Sequence, residues 1–131
     1  MKFYEDPVYI EMCRKAEEIQ EDRVLMSGDY YELFAKRGKV KICNRGITRG
    51  YRDLISQNSD WLPRLDQLIE MLDIPLQKLL TDIYHWDCGG LGAGWPTGMD
   101  HSWEVMFLGY LMETKFEKKW SFEKREWVSL P

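Results

Sequence analysis

The stretch from Ser102 to Val128, SWEVMFLGYLMETKFEKKWSFEKREWV, most constrains how this chain can fold. Trp103, Met106, Phe107, Tyr110, Leu111 and Thr114 recur at the i, i+3, i+4 spacing that gathers side chains on one face of an α-helix. Full burial of a large apolar side chain is worth roughly 1.5–3 kcal/mol, so a helix this rich in aromatics demands a surface to pack against. Ser102 is placed to cap it, its hydroxyl accepting from an unpaired N–H of the first turn. Farther on, Trp120, Phe122, Trp127 and Val128 flank the charged turn Glu123-Lys124-Arg125-Glu126. That predicts a short terminal hairpin or an extended tail folding back on the body.

The rest of the chain supplies the partners. Asp6-Pro7 is a helix start, a capping carboxylate followed by a proline whose missing N–H costs nothing in the first turn. A helix is predicted from Pro7 to Glu21, with Val8, Met12, Cys13, Ala16 and Ile19 as its apolar stripe. Tyr30–Ala35, a half-buried alternation from Val40 to about Asn44, and Tyr51–Ile55 read as three strands of a meander, with Gly38 available for a positive φ in the first turn. Ser56–Asp60 reads as a polar loop and Pro63 as part of a first helical turn. Leu62, Leu65, Leu68, Ile69 and Leu72 then form one helical stripe, and Pro75 opens another helix with Leu76, Leu79, Leu80 and Ile83 inward. A sharp turn at Asp73-Ile74 separates the two, since proline resists continuing the first. The sum is a single 131-residue α+β domain, a small antiparallel β-meander packed with about four helices.

Apolar residues make up 44% of the chain, enough for a packed core, and no apolar run approaches the roughly 18 residues of a membrane span. The N-terminus MKFYEDPVYIEM is acidic and lacks a hydrophobic signal core, which leads to the expectation of a cytoplasmic protein without membrane contact. Cys13, Cys43 and Cys88 are odd in number and far apart, as reduced thiols would be rather than a disulfide framework.

Three places could carry chemistry. The segment Cys88–Gly98, CGGLGAGWPTG, has five glycines, but no lysine follows until Lys115 and no βαβ context surrounds it, so it is not a phosphate-cradling loop. It reads as a connection, or as a flap anchored by Trp95. His85, Cys88 and His101, with Asp87 or Asp100, are an incomplete zinc set and the residues that a thiol or metal hydrolase would have to use. No nucleophile–base order accompanies them, so the expectation is a protein that is not an enzyme and holds no metal or cofactor.

The strongest signal is electrostatic. Between Lys36 and Arg52 lie seven basic residues and no acidic one, so the remainder carries −11 against a total of −4. Lys39, Lys41, Arg45, Arg49 and Arg52, with Tyr30, Tyr31 and Tyr51 nearby, form the expected binding set, joined by Trp95 as an exposed aromatic contact. The competing structural reading is that the acid-rich first helix, with Glu11, Glu17, Glu18 and Glu21, lies beside these strands and pairs with them. Duplex nucleic acid is disfavoured, because the −11 balance elsewhere repels a long polyanion.

Three pieces resemble uncharacterised small proteins of phages and prophages of Gram-positive bacteria. They are YIEMCRKAEEIQE (Tyr9–Glu21) leading into GDYY (Gly28–Tyr31), WLPRLDQLIEML (Trp61–Leu72), and FLGYLMETKFEKKW…EWV (Phe107–Val128), in the same order and over roughly half of the chain. The resemblance implies a context, an accessory protein made inside an infected or lysogenic bacterium. It brings no catalytic residue and no role for the basic segment. Within that context the expected partner is a host protein, defence components included, or alternatively a nucleotide-like anion that the chain sequesters; homo-oligomerisation stays open.

Overall fold

The computed structural model of the chain describes residues 2–21, 23–87 and 102–131. Its elements run α1 (Pro7–Lys15), α2 (Glu17–Gln20), β1 (Tyr30–Leu33), β2 (Val40–Ile42), α3 (Arg49–Gln57), β3 (Ser59–Leu62), α4 (Leu65–Leu72), α5 (Leu76–Asp87), α6 (Trp103–Phe116), β4 (Lys118–Ser121) and β5 (Glu126–Ser129). This is the expected α+β class, a three-stranded antiparallel sheet and a C-terminal hairpin among helices.

The α1 start is as read: Asp6 accepts from Val8 N–H at 3.0 Å, and Pro7 occupies the first turn. The expected continuous helix to Glu21 is corrected, since Ala16 leaves helical geometry (φ −88°, ψ 76°) and splits it into α1 and α2. The break turns Gln20 toward the sheet. Its amide donates to Cys13 O at 3.0 Å and to Trp61 O at 2.8 Å, and its Oε1 accepts from Trp61 N–H at 2.7 Å. One side chain thereby stands in for a neighbouring strand along β3.

The sheet order is β2-β1-β3, with Tyr31 opposite Lys41 and Trp61, and Glu32 opposite Val40 and Asp60. Two sequence expectations fail here. Tyr51–Ile55 lies within α3, not in a strand: Thr48 caps that helix, its hydroxyl accepting from Tyr51 N–H at 3.3 Å, and buries Ile55. The third strand is instead Ser59–Leu62, which begins within the supposed polar loop and runs on through Trp61 and Leu62, with all four residues buried. Its polar side chains are satisfied internally, Ser59 Oγ donating to Ile55 O at 2.6 Å and Asp60 accepting from Arg37 at 2.5 Å. Leu62 accordingly belongs to β3, and α4 starts at Leu65, after Pro63, with Arg64 N–H bonded to Gln67 Oε1 at 2.9 Å. α4 and α5 are separated by Asp73 in the left-handed region (φ 51°), the sharp turn expected at that point.

Helix α6 forms the centre, as its composition demanded, but not with one apolar face. Residues around its whole circumference are buried, including Val105, Phe107, Leu108, Leu111, Met112 and even Glu104 and Glu113. A helix covered all round needs no amphipathic stripe. It packs on α1, α4, α5 and β4. Trp103 of the predicted stripe is 66% exposed, and the Ser102 hydroxyl makes no cap; the Ser102 N–H instead donates to Asp6 at 3.2 Å. On α5, Leu79 and Ile83 turn inward, whereas Leu76 and Leu80, expected beside them, are exposed. The C-terminal alternative resolves as a hairpin: Trp120 and Trp127 pair across β4 and β5 with ring centroids 5.1 Å apart, and Trp127 Nε1 donates to Met12 O at 3.0 Å. No helix of the described residues is long and apolar enough to cross a membrane.

Candidate functional site

The site is built on β1 and the turn after it. Glu32 is fully buried in the sheet, and a carboxylate taken out of water needs donors on both oxygens. Arg14 of α1 supplies a two-bond fork at 2.7 and 2.8 Å, Arg37 donates at 2.7 Å, and Gly38 N–H donates at 2.9 Å. Burial alone would raise the Glu32 carboxyl; the bonds from Arg14, Gly38 and Arg37 outweigh it and hold it at about 2. Asp60, opposite Glu32 on β3, goes the other way: burial raises it, and Arg37 only partly opposes that.

This network ties the still partly exposed Arg37 to Glu32 and Asp60 and pins the turn that launches β2. Gly38 takes φ +87° there, which L side chains adopt only under strain. Nothing stands within 4 Å of an added Cβ, so Gly38→Ala carries a backbone cost alone. We expect it to lower stability by about 1 kcal/mol, read from the urea midpoint, with no change in the slope.

The remaining cations of the segment are left outside. The side chains of Lys36, Lys39, Lys41, Arg45 and Arg49 are exposed and make no ion pair among the described residues. Arg52 is half-buried beside Cys43, with an unpartnered Nε. The acid-rich first helix does not neutralise them. Glu11 is clasped by Arg125 at 2.8 and 2.6 Å, and Glu18 pairs with Lys118 at 2.7 Å. Lys15 donates to Arg125 O at 2.5 Å. Glu11 and Glu18 are thus spent on the C-terminal hairpin.

Sheet register and helix phase fix where several of these residues lie. Lys41 shares a face with Tyr31 and Trp61, and α3 covers that face, with Tyr51 close to Tyr31 and Arg52 close to Cys43. Tyr51 (56% exposed) and Leu54 are neighbours on one flank of α3, while Arg49, Asp53 and Gln57 form the other. The expected trio of tyrosines is not kept. Tyr31 is buried, and Tyr30 points to the opposite face, where it stacks on Tyr4 and meets the edge of Phe3.

Beside Arg49 opens a cleft of about 620 Å³, lined also by Arg23, Asp53, Asp60, Phe34 and Gln57. Of the expected binding set it contains Arg49 alone, and its two arginines face two carboxylates. Arg23 in turn lies over the Trp61 ring at 3.6 Å and reaches Asp29 at 3.2 Å. Sequence reasoning missed the buried carboxylates Glu32 and Asp29; nothing local in YYEL or SGDY marks them as buried.

Comparison with protein-family models, with curated proteins and with solved structures finds no match to this chain. Cys13 and Cys43 are free and buried, and burial pushes both thiols up, away from nucleophilic use. His85 is exposed. Cys88, Trp95 and His101 lie outside the described residues. Among the described residues, no group of three or more His, Cys, Asp or Glu is placed to hold a metal.

Proposed function

We propose that this chain is a non-enzymatic binding protein that engages an acidic protein surface through Lys39, Lys41, Arg45 and Arg49. One observation carries the reading: these cations are exposed and unpaired among the described residues, while Glu11 and Glu18 of the helices expected to neutralise them pair instead with Arg125 and Lys118 of the C-terminal hairpin. Exposed Tyr51 and Leu54, on the flank of α3 away from Arg49, add apolar contact, the mixture from which protein interfaces draw affinity. Ion pairs at such a rim steer and select a partner more than they stabilise it. The phage-like sequence pieces set the context, in which the chain is an accessory protein of a phage or prophage in the bacterial cytoplasm and the partner is a host protein, defence components included.

A pocket-based reading, sequestration of a nucleotide-like anion, is less favoured. The cleft beside Arg49 sets Asp53 and Asp60 against Arg23 and Arg49, a balance that suits no polyanion.

The test is capture from bacterial lysate by the wild type and by the double variant Arg45→Glu, Arg49→Glu, quantified by mass spectrometry. Exposed turn and helix-start charges contribute about 0–1 kcal/mol to stability, so the variant keeps its melting temperature within a few degrees. Its specific partner is lost at least tenfold, and salt weakens the wild-type capture in the same way. Capture that is indifferent to both changes refutes the reading.

A further inference from the structure

We infer that the partner docks as an added β-strand, an extended acidic segment pairing along the outer edge of β2. The inference rests on the acidic-partner reading and specifies the form in which that partner binds.

Backbone phase is the first support. Cys43 N–H donates to Asp29 O at 2.8 Å, and Gly28 N–H donates to Cys43 O at 2.8 Å, so Cys43 directs its backbone groups toward the β1 side. Antiparallel pairing alternates from residue to residue. Lys41 therefore also faces β1, and the N–H and C=O groups of Val40 and Ile42 point away from it. The same alternation, carried across β1, sends the Trp61 N–H and C=O out from the far side of β3. That is where Gln20 meets both of them, which confirms the phase. The two edges thus differ. The β3 edge is closed by Gln20, whereas the outward groups of Val40 and Ile42 meet no hydrogen-bond partner among the described residues.

Charge selects the occupant. Lys39 and Lys41 fall on one side of this edge, exposed and unpaired among the described residues, and Ile42, on the other side, is 46% exposed. A strand alternating carboxylates with β-branched residues matches both sides at once. A second copy of β2 does not, because antiparallel pairing would set lysine against lysine. Edge lysines are also a common guard against unwanted pairing. Here they guard against this chain's own copies while admitting an acidic strand.

The probe is a fluorescein-labelled synthetic peptide alternating glutamate with valine, followed by anisotropy against the full chain. Two further versions carry N-methyl groups on alternate amides, one set on the valines and the other on the glutamates. The expected result is salt-sensitive binding of the parent, with one methylated set weakened at least about tenfold and the other unchanged, because only alternate amides can face β2. Equal affinity of the two methylated sets, or no binding of the parent, overturns strand addition. If either occurs while lysate capture still depends on Arg45 and Arg49, the acidic-partner reading stands and only the edge geometry falls. Phase-dependent binding that survives Lys39→Glu, Lys41→Glu overturns the acidic occupant, since these two lysines carry the charge argument at this edge.

Discussion

Leu108→Ala is expected to cost this protein about 3–5 kcal/mol, enough to unfold a large share of the molecules at physiological temperature. Leu108 is fully buried at the centre of α6, a helix with neighbours on every side, so no flank is available to collapse into the space left behind. Chemical denaturation reads the loss as a lower midpoint with an unchanged slope. Trp103→Ala on the same helix is the matched control. Although Trp103 is the larger residue and opens the predicted apolar stripe, it is two-thirds exposed, and its removal is expected to cost no more than about 0.5 kcal/mol. A large effect at Trp103 with a small one at Leu108 would mean that α6 lies at the surface.

Glu32→Gln is expected to cost about 3 kcal/mol at neutral pH and to remove part of the acid sensitivity of the fold. In the wild type the Glu32 carboxyl is held at about 2, below its ordinary 4.5. Its contribution is therefore complete above about pH 4.5 and disappears as the pH falls toward 2; at 1.36 kcal/mol per unit this amounts to roughly 3 kcal/mol. The variant lacks this contribution at every pH, so its stability profile is flatter between pH 5 and 2. Asp60 runs in the opposite sense, because a carboxyl raised by burial favours the folded state when protonated, and it offsets part of the acid loss. Parallel profiles for the two proteins would show that Arg14 and Arg37 do not hold the ionised form.

Local chemistry was readable wherever it acted alone. The Asp6-Pro7 start, the Gly38 turn, the break at Asp73 and the paired tryptophans of the hairpin each follow from one or two residues. Tyr51–Ile55 was misread because aromatic and β-branched residues favour a strand, while the Thr48 cap and the spacing from Tyr51 to Ile55 suit a helix equally well. β3 escaped notice because both of its faces are covered. Without a solvent face there is no alternation, and Ser59 and Asp60 look like loop residues until Ile55 O and Arg37 are seen to satisfy them. The candidate site was half legible. The run of cations was plain, but Arg37 and Lys39 look alike in sequence; only a buried glutamate five residues before Arg37 pairs the one and leaves the other without an ion pair among the described residues.

The single glutamine that closes β3 has a consequence for stoichiometry. A sheet open at both margins can pass strand pairing from molecule to molecule and grow into a fibre. Here one margin is stoppered by Gln20 from within the chain, so whatever strand joins at β2 finds no second opening behind it through which to continue. Under the proposed strand addition, each copy of this sheet receives a strand at β2 and none at Trp61 on its far margin.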